Sequence, residues 1–170
     1  MAELTVEFAQ SQAEMTAVQD LCRSFRQWLY DNYPRHRPVI DAYYNPQKFE
    51  ALLVDLPQIH KRPKGAILLA RLDGEPVGCV MHHEQGPGIA EMKRLFVSAA
   101  ARGRGIAAAL CEASMARAKD DGYHSMRLDT GILQTAAQGL YRRLGFRERD
   151  AYYPVPPELE QILLFFEREL

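Results

Sequence analysis

The chain has 170 residues, 47% hydrophobic and 25% charged, the balance of one soluble globular domain with a core of its own. This excludes a disordered chain, a collagen-like repeat and a disulfide-stapled miniprotein. Lysine and arginine number 21 against 22 acids, a formal net charge of -1, so no overall field recruits nucleic acid or an anionic membrane. Any anion site has to be local.

Taken in chain order, Leu4, Val6 and Phe8 alternate with polar residues, the period of a half-buried strand. From Ser11 to about Trp28 the apolar residues Met15, Val18, Leu21, Cys22, Phe25 and Trp28 recur at three- and four-residue steps, which puts them on one helix face. Pro34 and Pro38, with basic residues between them, predict a loop; Phe49 to Leu56 predicts a short helix ended by Pro57. Ala66 to Leu72 and Val77 to His83 flank Asp73-Gly74, a tight-turn signal, and Gly86-Pro87-Gly88 leads into a third strand of the meander, Ile89 to Val97. Ile106 to Ala116 reads as a helix, and Met126, Leu128 and Thr130 as a strand. Ala137 to Leu144 reads as a helix stopped by Gly145, with final strands at Phe146 to Tyr153 and Ile162 to Phe166. A helix between the third meander strand and the Met126 strand implies a right-handed crossover, so those two strands are expected to be parallel. The fold class is mixed α/β, a mostly antiparallel central sheet with helices on both faces, as one domain over residues 1–170.

Cys22, Cys79 and Cys111 are odd in number and form no C-x-x-C pair, so they read as small apolar fillers in a reducing compartment. Met1-Ala2-Glu3-Leu4 carries no basic stretch before an apolar core, and no apolar run approaches the roughly 20 residues needed to span a bilayer. A cytoplasmic location, with no membrane or nucleic-acid partner, is the expectation.

The chemistry concentrates at the one β–loop–α junction, Val97 to Ala107, which contains Arg102-Gly103-Arg104-Gly105-Ile106-Ala107. Glycines let consecutive amides turn inward and let a ligand approach without meeting a Cβ. The helix that follows begins with unpaired N–H groups and the positive end of its dipole, and together these make a phosphate cradle. Arg102 and Arg104, with Lys93 and Arg94 on the strand, are expected to add a cationic rim. A Walker loop is excluded because Gly-Lys-Ser/Thr is absent. Gly103, Gly105 and Ala108 meet the dinucleotide spacing G-x-G-x-x-G/A, and Asp129 stands where a ribose-binding acid would, but this strand follows an antiparallel meander rather than opening a parallel unit.

The string Met92-Lys93-Arg94-Leu95-Phe96-Val97, followed by Arg102, Gly105 and Ala107 in the pattern Arg/Gln-x-x-Gly-x-Gly/Ala, resembles the central motif of the GNAT superfamily of acyl-CoA-dependent N-acyltransferases. A second motif of that superfamily is similar to Ala137-x-x-Leu140-Tyr141-x-x-Leu144-Gly145-Phe146, with Gln134 where many members carry Asn. The resemblance spans the element order of the whole chain. It implies acetyl-CoA as cosubstrate without a metal, and a slot between splayed central strands. Leu95, Phe96 and Val97 would pair with the pantetheine arm by backbone bonds, and the amides of Gly103, Arg104, Gly105, Ile106 and Ala107 would hold the pyrophosphate, beside Arg102. Gln134 and Tyr141 would line the arm. The family often dimerises, and the resemblance leaves a homodimer open.

Acyl transfer from a thioester to an amine requires a proton acceptor for the amine, stabilisation of the carbonyl oxygen and a proton donor for a thiol whose ordinary pKa is about 8.5. By resemblance Tyr141 is the acid and Glu91 the base, directly or through water; the other readings are a core tyrosine and a strand carboxylate paired with Lys93 or Arg127. A backbone N–H near Phe96 or Val97 is implied for the oxyanion. His82-His83-Glu84 is not a metal set, because adjacent strand residues point to opposite faces; one of these histidines is expected near the acceptor. Cys111 has no assignable base. Asp129-Thr130 either meets substrate or caps a turn, and Tyr152-Tyr153 either wall the acceptor site or cover the core edge. Trp28, Tyr30, Tyr33, Arg35, Arg37, Tyr43 and Tyr44 supply material for the acceptor side. The expected acceptor is a small-molecule or peptidyl amine; the alternatives are a non-catalytic acyl-CoA-binding regulatory domain of the same fold and a nicotinamide-dinucleotide-binding protein.

Overall fold

The computed structural model describes residues 1–170. The elements are β1 (Leu4–Phe8), α1 (Gln12–Asn32), α2 (Arg37–Tyr43), α3 (Pro46–Ile59), β2 (Ala66–Leu72), β3 (Glu75–Gly86), β4 (Ile89–Val97), α4 (Ile106–Asp120), β5 (Ser125–Gly131), α5 (Thr135–Arg143), β6 (Arg147–Arg149) and β7 (Leu163–Glu169). The strands form one seven-stranded sheet in the order β1-β2-β3-β4-β5-β7-β6, antiparallel everywhere except between β4 and β5.

Local chemistry accounts for most boundaries. Ser11 caps α1 in a reciprocal box with Glu14, so two of the orphan amides at that end are satisfied. Asp73 and Gly74 both adopt positive φ (50° and 85°), the geometry that closes a two-residue hairpin between β2 and β3. Gly145, at φ 87°, ends α5.

Three expectations are corrected. Residues 34–38 are not simply a loop: a 3₁₀ turn leads into α2, and Pro38 sits in its first turn, where a missing N–H costs nothing. Pro57 does not end its helix, for α3 runs on to Ile59. The carbonyl that Pro57 leaves without an amide, that of Leu53, accepts instead from the Gln19 side chain of α1 at 2.9 Å. The expected strand from Phe146 to Tyr153 pairs only over Arg147–Arg149, because Tyr152 and Tyr153 turn away to pack on Phe165.

The sheet carries a core on each face. On one side α4 and α5 cover Val80, Ala90, Met92, Met126 and Leu128; on the other, α1 and α3 cover Ile67, Leu69, Cys79, Met81 and Phe96. A smaller cluster, Leu159, Leu163 and Phe165 with Tyr43, Tyr152 and Tyr153, roofs β7 on that second face. Between this roof and the α1–α3 core the same face is polar.

The site is set by how β4 leaves β5. Their parallel ladder joins only Ile89–Glu91 to Ser125–Arg127. Beyond it, β4 bulges: Lys93 pairs with Met81 but Phe96 with Cys79, so that Arg94 and Leu95 on β4 stand against Val80 alone on β3, with Arg94 at φ 53°. A bulge bends its strand and adds twist, so β4 swings away and the two central strands splay.

Candidate active site

At the mouth of this splay β4 ends in half-buried Leu95 and buried Phe96 and Val97, and the chain enters the glycine turn. Gly103 and Gly105 take φ of 75° and 74°, and Gly105 is the N-cap of α4. Ala109 is the first residue of α4 whose amide finds an acceptor, the Gly105 carbonyl at 3.0 Å; the amides of Gly103 through Ala108 have none in the protein. A Cβ on either glycine would meet nothing within 4 Å, so the concave side of the turn is open. Ile106 is buried beneath it and Ala107 half-buried. This is a row of unpaired donors at the positive end of a helix, suited to a diphosphate.

The expected cationic rim forms only in part. Arg104 is exposed, whereas Arg102 folds back: its Nε donates to the Val97 carbonyl at 3.1 Å and its guanidinium stacks 4.4 Å from the Trp28 ring. Lys93 and Arg94 are not on the rim. The bulge turns both toward the α1–α3 face, and Lys93 spans the splay there, its Nζ 3.4 Å from Glu91 Oε1 and 3.2 Å from Asp129 Oδ2.

Glu91 is buried and its partners converge from several elements. His83 Nε2 lies 3.1 Å from Oε1, and the Tyr152 hydroxyl donates to Oε2. Burial by itself raises the carboxyl pKa, but the hydrogen bond from His83, the charge of Lys93 and the Tyr152 hydroxyl outweigh it and bring the value down to about 2. Glu91 therefore does pair with Lys93, while Arg127 turns to Glu167 and Gln85. Asp129, the acid that a dinucleotide reading would give to a ribose, is held by Lys93 and by the hydroxyls of Tyr43 and Tyr153, each at 2.8 Å. Burial first, then the Glu91 and Asp129 charges, push the phenols of Tyr152 and Tyr153 up, so both stay protonated donors.

His82 and His83 point to opposite faces: His82 bonds Ser114 of α4 at 2.8 Å, and His83 belongs to the Glu91 cluster. No group of His, Cys, Asp and Glu is arranged to hold a metal.

Tyr141 lies on α5 against Phe146 and Phe166, so it is core-lining as well as a candidate donor. Burial pushes its phenol up, with smaller contributions from Cys111 and Asp129. Gln134, placed on the pantetheine arm by resemblance, is turned back: its Oε1 accepts from Thr130 Oγ1 at 2.8 Å and from the Gly131 amide at 3.1 Å. Burial raises the Cys111 thiol to about 12, which removes it as a nucleophile at neutral pH.

Next to Asp129 is a cavity of about 160 Å³ between α2 and the β5–α5 loop, lined by Val39, Ile40, Tyr43, Tyr44, Ile132 and Leu133 among others. Tyr33 closes one end, its hydroxyl donating to the Leu133 carbonyl at 2.9 Å. Of the acceptor-side residues named from sequence, Tyr33, Tyr43 and Tyr44 line this cavity; Trp28 carries Arg102, and Tyr30 belongs to a separate cluster with Arg26, Arg37 and Asp41. The spans from Lys93 to Asp129 and from Tyr152 to Glu91 were not foreseen. The nearest signal was the pair Tyr152-Tyr153 before a proline-rich loop.

The sequence pattern of the acetyltransferase (GNAT) family matches residues 22–146. An IAA acetyltransferase of Azospirillum brasilense is 35% identical over 119 residues, 69% of this chain and 76% of its own length. The human N-acetylaspartate synthetase is 34% identical over 129 residues, 73% of this chain but 42% of its own length. The crystal structure of a PaiA N-acetyltransferase from Thermoplasma acidophilum, in complex with coenzyme A, shares the fold with a TM-score of 0.75 at 16% identity, covering 99% of each chain.

Proposed function

Because the chain belongs to the GNAT acetyltransferase family, we propose that it transfers the acetyl group of acetyl-CoA directly to a primary amine of a small molecule or peptide, acting as one domain over residues 1–170. One observation carries this reading: the run of unpaired amides from Gly103 to Ala108 stands where β4 loses its ladder to β5. A diphosphate held by the first directs an extended arm into the second.

Acetyl-CoA, when bound, supplies an activated carbonyl joined to a good leaving group. The residues do the rest. The amides of Gly103 to Ala107 hold the pyrophosphate, with the exposed Arg104 beside it and Arg102 turned back onto Val97 and Trp28. The β4 edge from Leu95 to Val97, free of a partner strand, pairs with the arm by main-chain bonds and offers an amide to the carbonyl oxygen. Tyr141, kept protonated by burial, gives its proton to sulfur as the C–S bond breaks. Glu91, fully ionised, draws the ammonium in and favours positive charge on nitrogen as the N–C bond forms. A carboxylate held near pKa 2 is a poor store for a proton, so the proton passes through water to solvent. One proton of the ammonium is thus released, and the second balances the one given to sulfur.

The test is calorimetry of the chain with acetyl-CoA, CoA and NAD, followed by an acceptor screen that records thiol release over amines, amino acids, polyamines and peptides. Tight CoA binding with thiol release on an amine is expected. Binding without turnover on any amine supports a regulatory acyl-CoA-binding domain, and NAD binding without CoA binding overturns the assignment.

A further inference from the structure

The recess between α2 and the β5–α5 loop differs in chemistry from the charged cleft beside it. Its lining is mostly apolar, it holds no lysine or arginine, and Asp129 is its only acid. Its one histidine, His36, is exposed and packs edge-on against Tyr33, which closes one end. The partners of Asp129 fix how its carboxylate is turned. Oδ2 meets Lys93 at 3.2 Å and Tyr153 at 2.8 Å, neither of which lines the recess. Oδ1 accepts from Tyr43 at 2.8 Å, and Tyr43 does line it. A carboxylate offers about four lone-pair sites; with three filled, the free one is on Oδ1, on the recess side. The negative charge is not cancelled either, because Asp129 and Glu91 share a single lysine, Lys93. Beyond the carboxylate the recess has a volume of about 160 Å³, comparable to the roughly 150 Å³ apolar cavity that takes a benzene ring. Ile132 and Leu133 stand side by side in its lining, and both are exposed, among the few large apolar side chains that the chain leaves in water. Apolar surface exposed around a concave site is what an apolar ligand covers.

We propose that the acceptor is a primary amine with an apolar body the size of an aryl ring and no carboxylate. Its ammonium lies on Oδ1 of Asp129 and its ring fills the recess. Asp129 is on β5 two residues past the last one that pairs with β4, so an amine held there sits at the mouth of the splay. A carboxylate on the same ligand would enter a recess with no lysine or arginine to pair with it, and burying an unpaired charge is costly. This rests on the acetyl-transfer reading above: the amine nitrogen bonds the acetyl carbon, the C–S bond breaks, and the products are an N-acetyl amide, a free thiol and one proton.

The experiment titrates the CoA-loaded full chain by calorimetry with phenethylamine, ethylamine (no ring), 2-phenylethanol (no charge) and L-phenylalanine (added carboxylate). Thiol release from acetyl-CoA is then followed with the three amines. Phenethylamine should bind tightest and give the highest kcat/KM. Loss of the ring should weaken binding roughly ten- to a hundredfold, the worth of a buried aromatic side chain. Loss of the charge should weaken it by a similar factor. Asp129→Asn should bring phenethylamine down to the affinity of 2-phenylethanol, and Val39→Phe, which narrows the recess, should bring it down toward that of ethylamine. Circular dichroism confirms that each variant is folded; if Asp129→Asn is not, Val39→Phe and the wild-type series decide. The proposal is overturned if ethylamine or phenylalanine binds as well as phenethylamine, if none of the ligands binds, or if Asp129→Asn keeps the preference for amine over alcohol. Failure of CoA to bind overturns the acetyl-transfer reading instead; normal CoA binding with thiol release only on other amines overturns this proposal alone.

Discussion

Substituting Gly105→Val separates the cost of a strained backbone from the cost of a lost ligand. Gly105 sits at φ 74°, in the left-handed region that a β-branched residue adopts at a penalty of about 1–2 kcal/mol. A Cβ there meets no protein atom within 4 Å, so no packing clash is added and the fold should survive with a modest fall in Tm. The ligand is affected differently. The open space is where a diphosphate would lie against the amides of Gly103 to Ala108, and each charge-assisted bond is worth about 1.5–3 kcal/mol. Pushing the diphosphate off two such amides costs about 3–6 kcal/mol, a rise of roughly 10²- to 10⁴-fold in Kd. Calorimetry with CoA reads the second number and thermal unfolding the first, with Gly105→Ala expected between wild type and Val in both. A Val variant with lowered Tm but wild-type affinity for CoA would show that these amides hold no phosphate.

Tyr141→Phe should lower kcat by about 10²-fold or more with CoA affinity unchanged, the scale of a lost general acid; steady-state rates beside a CoA titration decide it. Glu91→Gln should lower kcat to a similar degree. The same carboxylate governs acid stability. Its folded pKa, about 2, lies below the ordinary 4.5, so the ionised form favours the native state. That contribution, about 3 kcal/mol, is complete above roughly pH 4.5 and is lost as pH falls toward 2. Between pH 6 and pH 3, denaturant unfolding should show wild type losing about 2 kcal/mol more stability than Glu91→Gln, the part of this contribution gone by pH 3. Gln19→Ala removes the donor that serves the Leu53 carbonyl opposite Pro57; it should cost about 1 kcal/mol of stability with no effect on CoA binding, and an unchanged unfolding midpoint would refute that account of the uninterrupted helix.

What could be read from the sequence is what depends on neighbours along the chain. Alternation located β1 and β5, Asp73-Gly74 located the hairpin, and Gly103 and Gly105 located the glycine turn before α4, since each is a property of a few consecutive residues. The misreadings share a different cause. Pro57 is tolerated because of Gln19, far away in sequence on another helix. Tyr152 and Tyr153 leave the strand pattern because Glu91, Asp129 and Phe165 receive them, and none of those contacts has a local signature. Lys93 looked like a phosphate ligand because it lies near the turn along the chain; the carboxylates it joins lie on two different strands.

The bulge at Arg94 links the splay between β4 and β5 to the charge pattern of the cleft. In a regular strand successive side chains alternate, so Lys93 and Arg94 would face opposite sides and one of them would enter an apolar core. The extra residue brings both to the polar face, the first onto Glu91 and Asp129 and the second left unpaired. The same residue bends β4 out of its ladder with β5 and opens the slot. Without this bulge, the turn at the N-terminus of α4 would still present its unpaired amides, a geometry suited to an anion. It would then face a closed sheet whose charges were separated by the strands, with no path from thioester to amine.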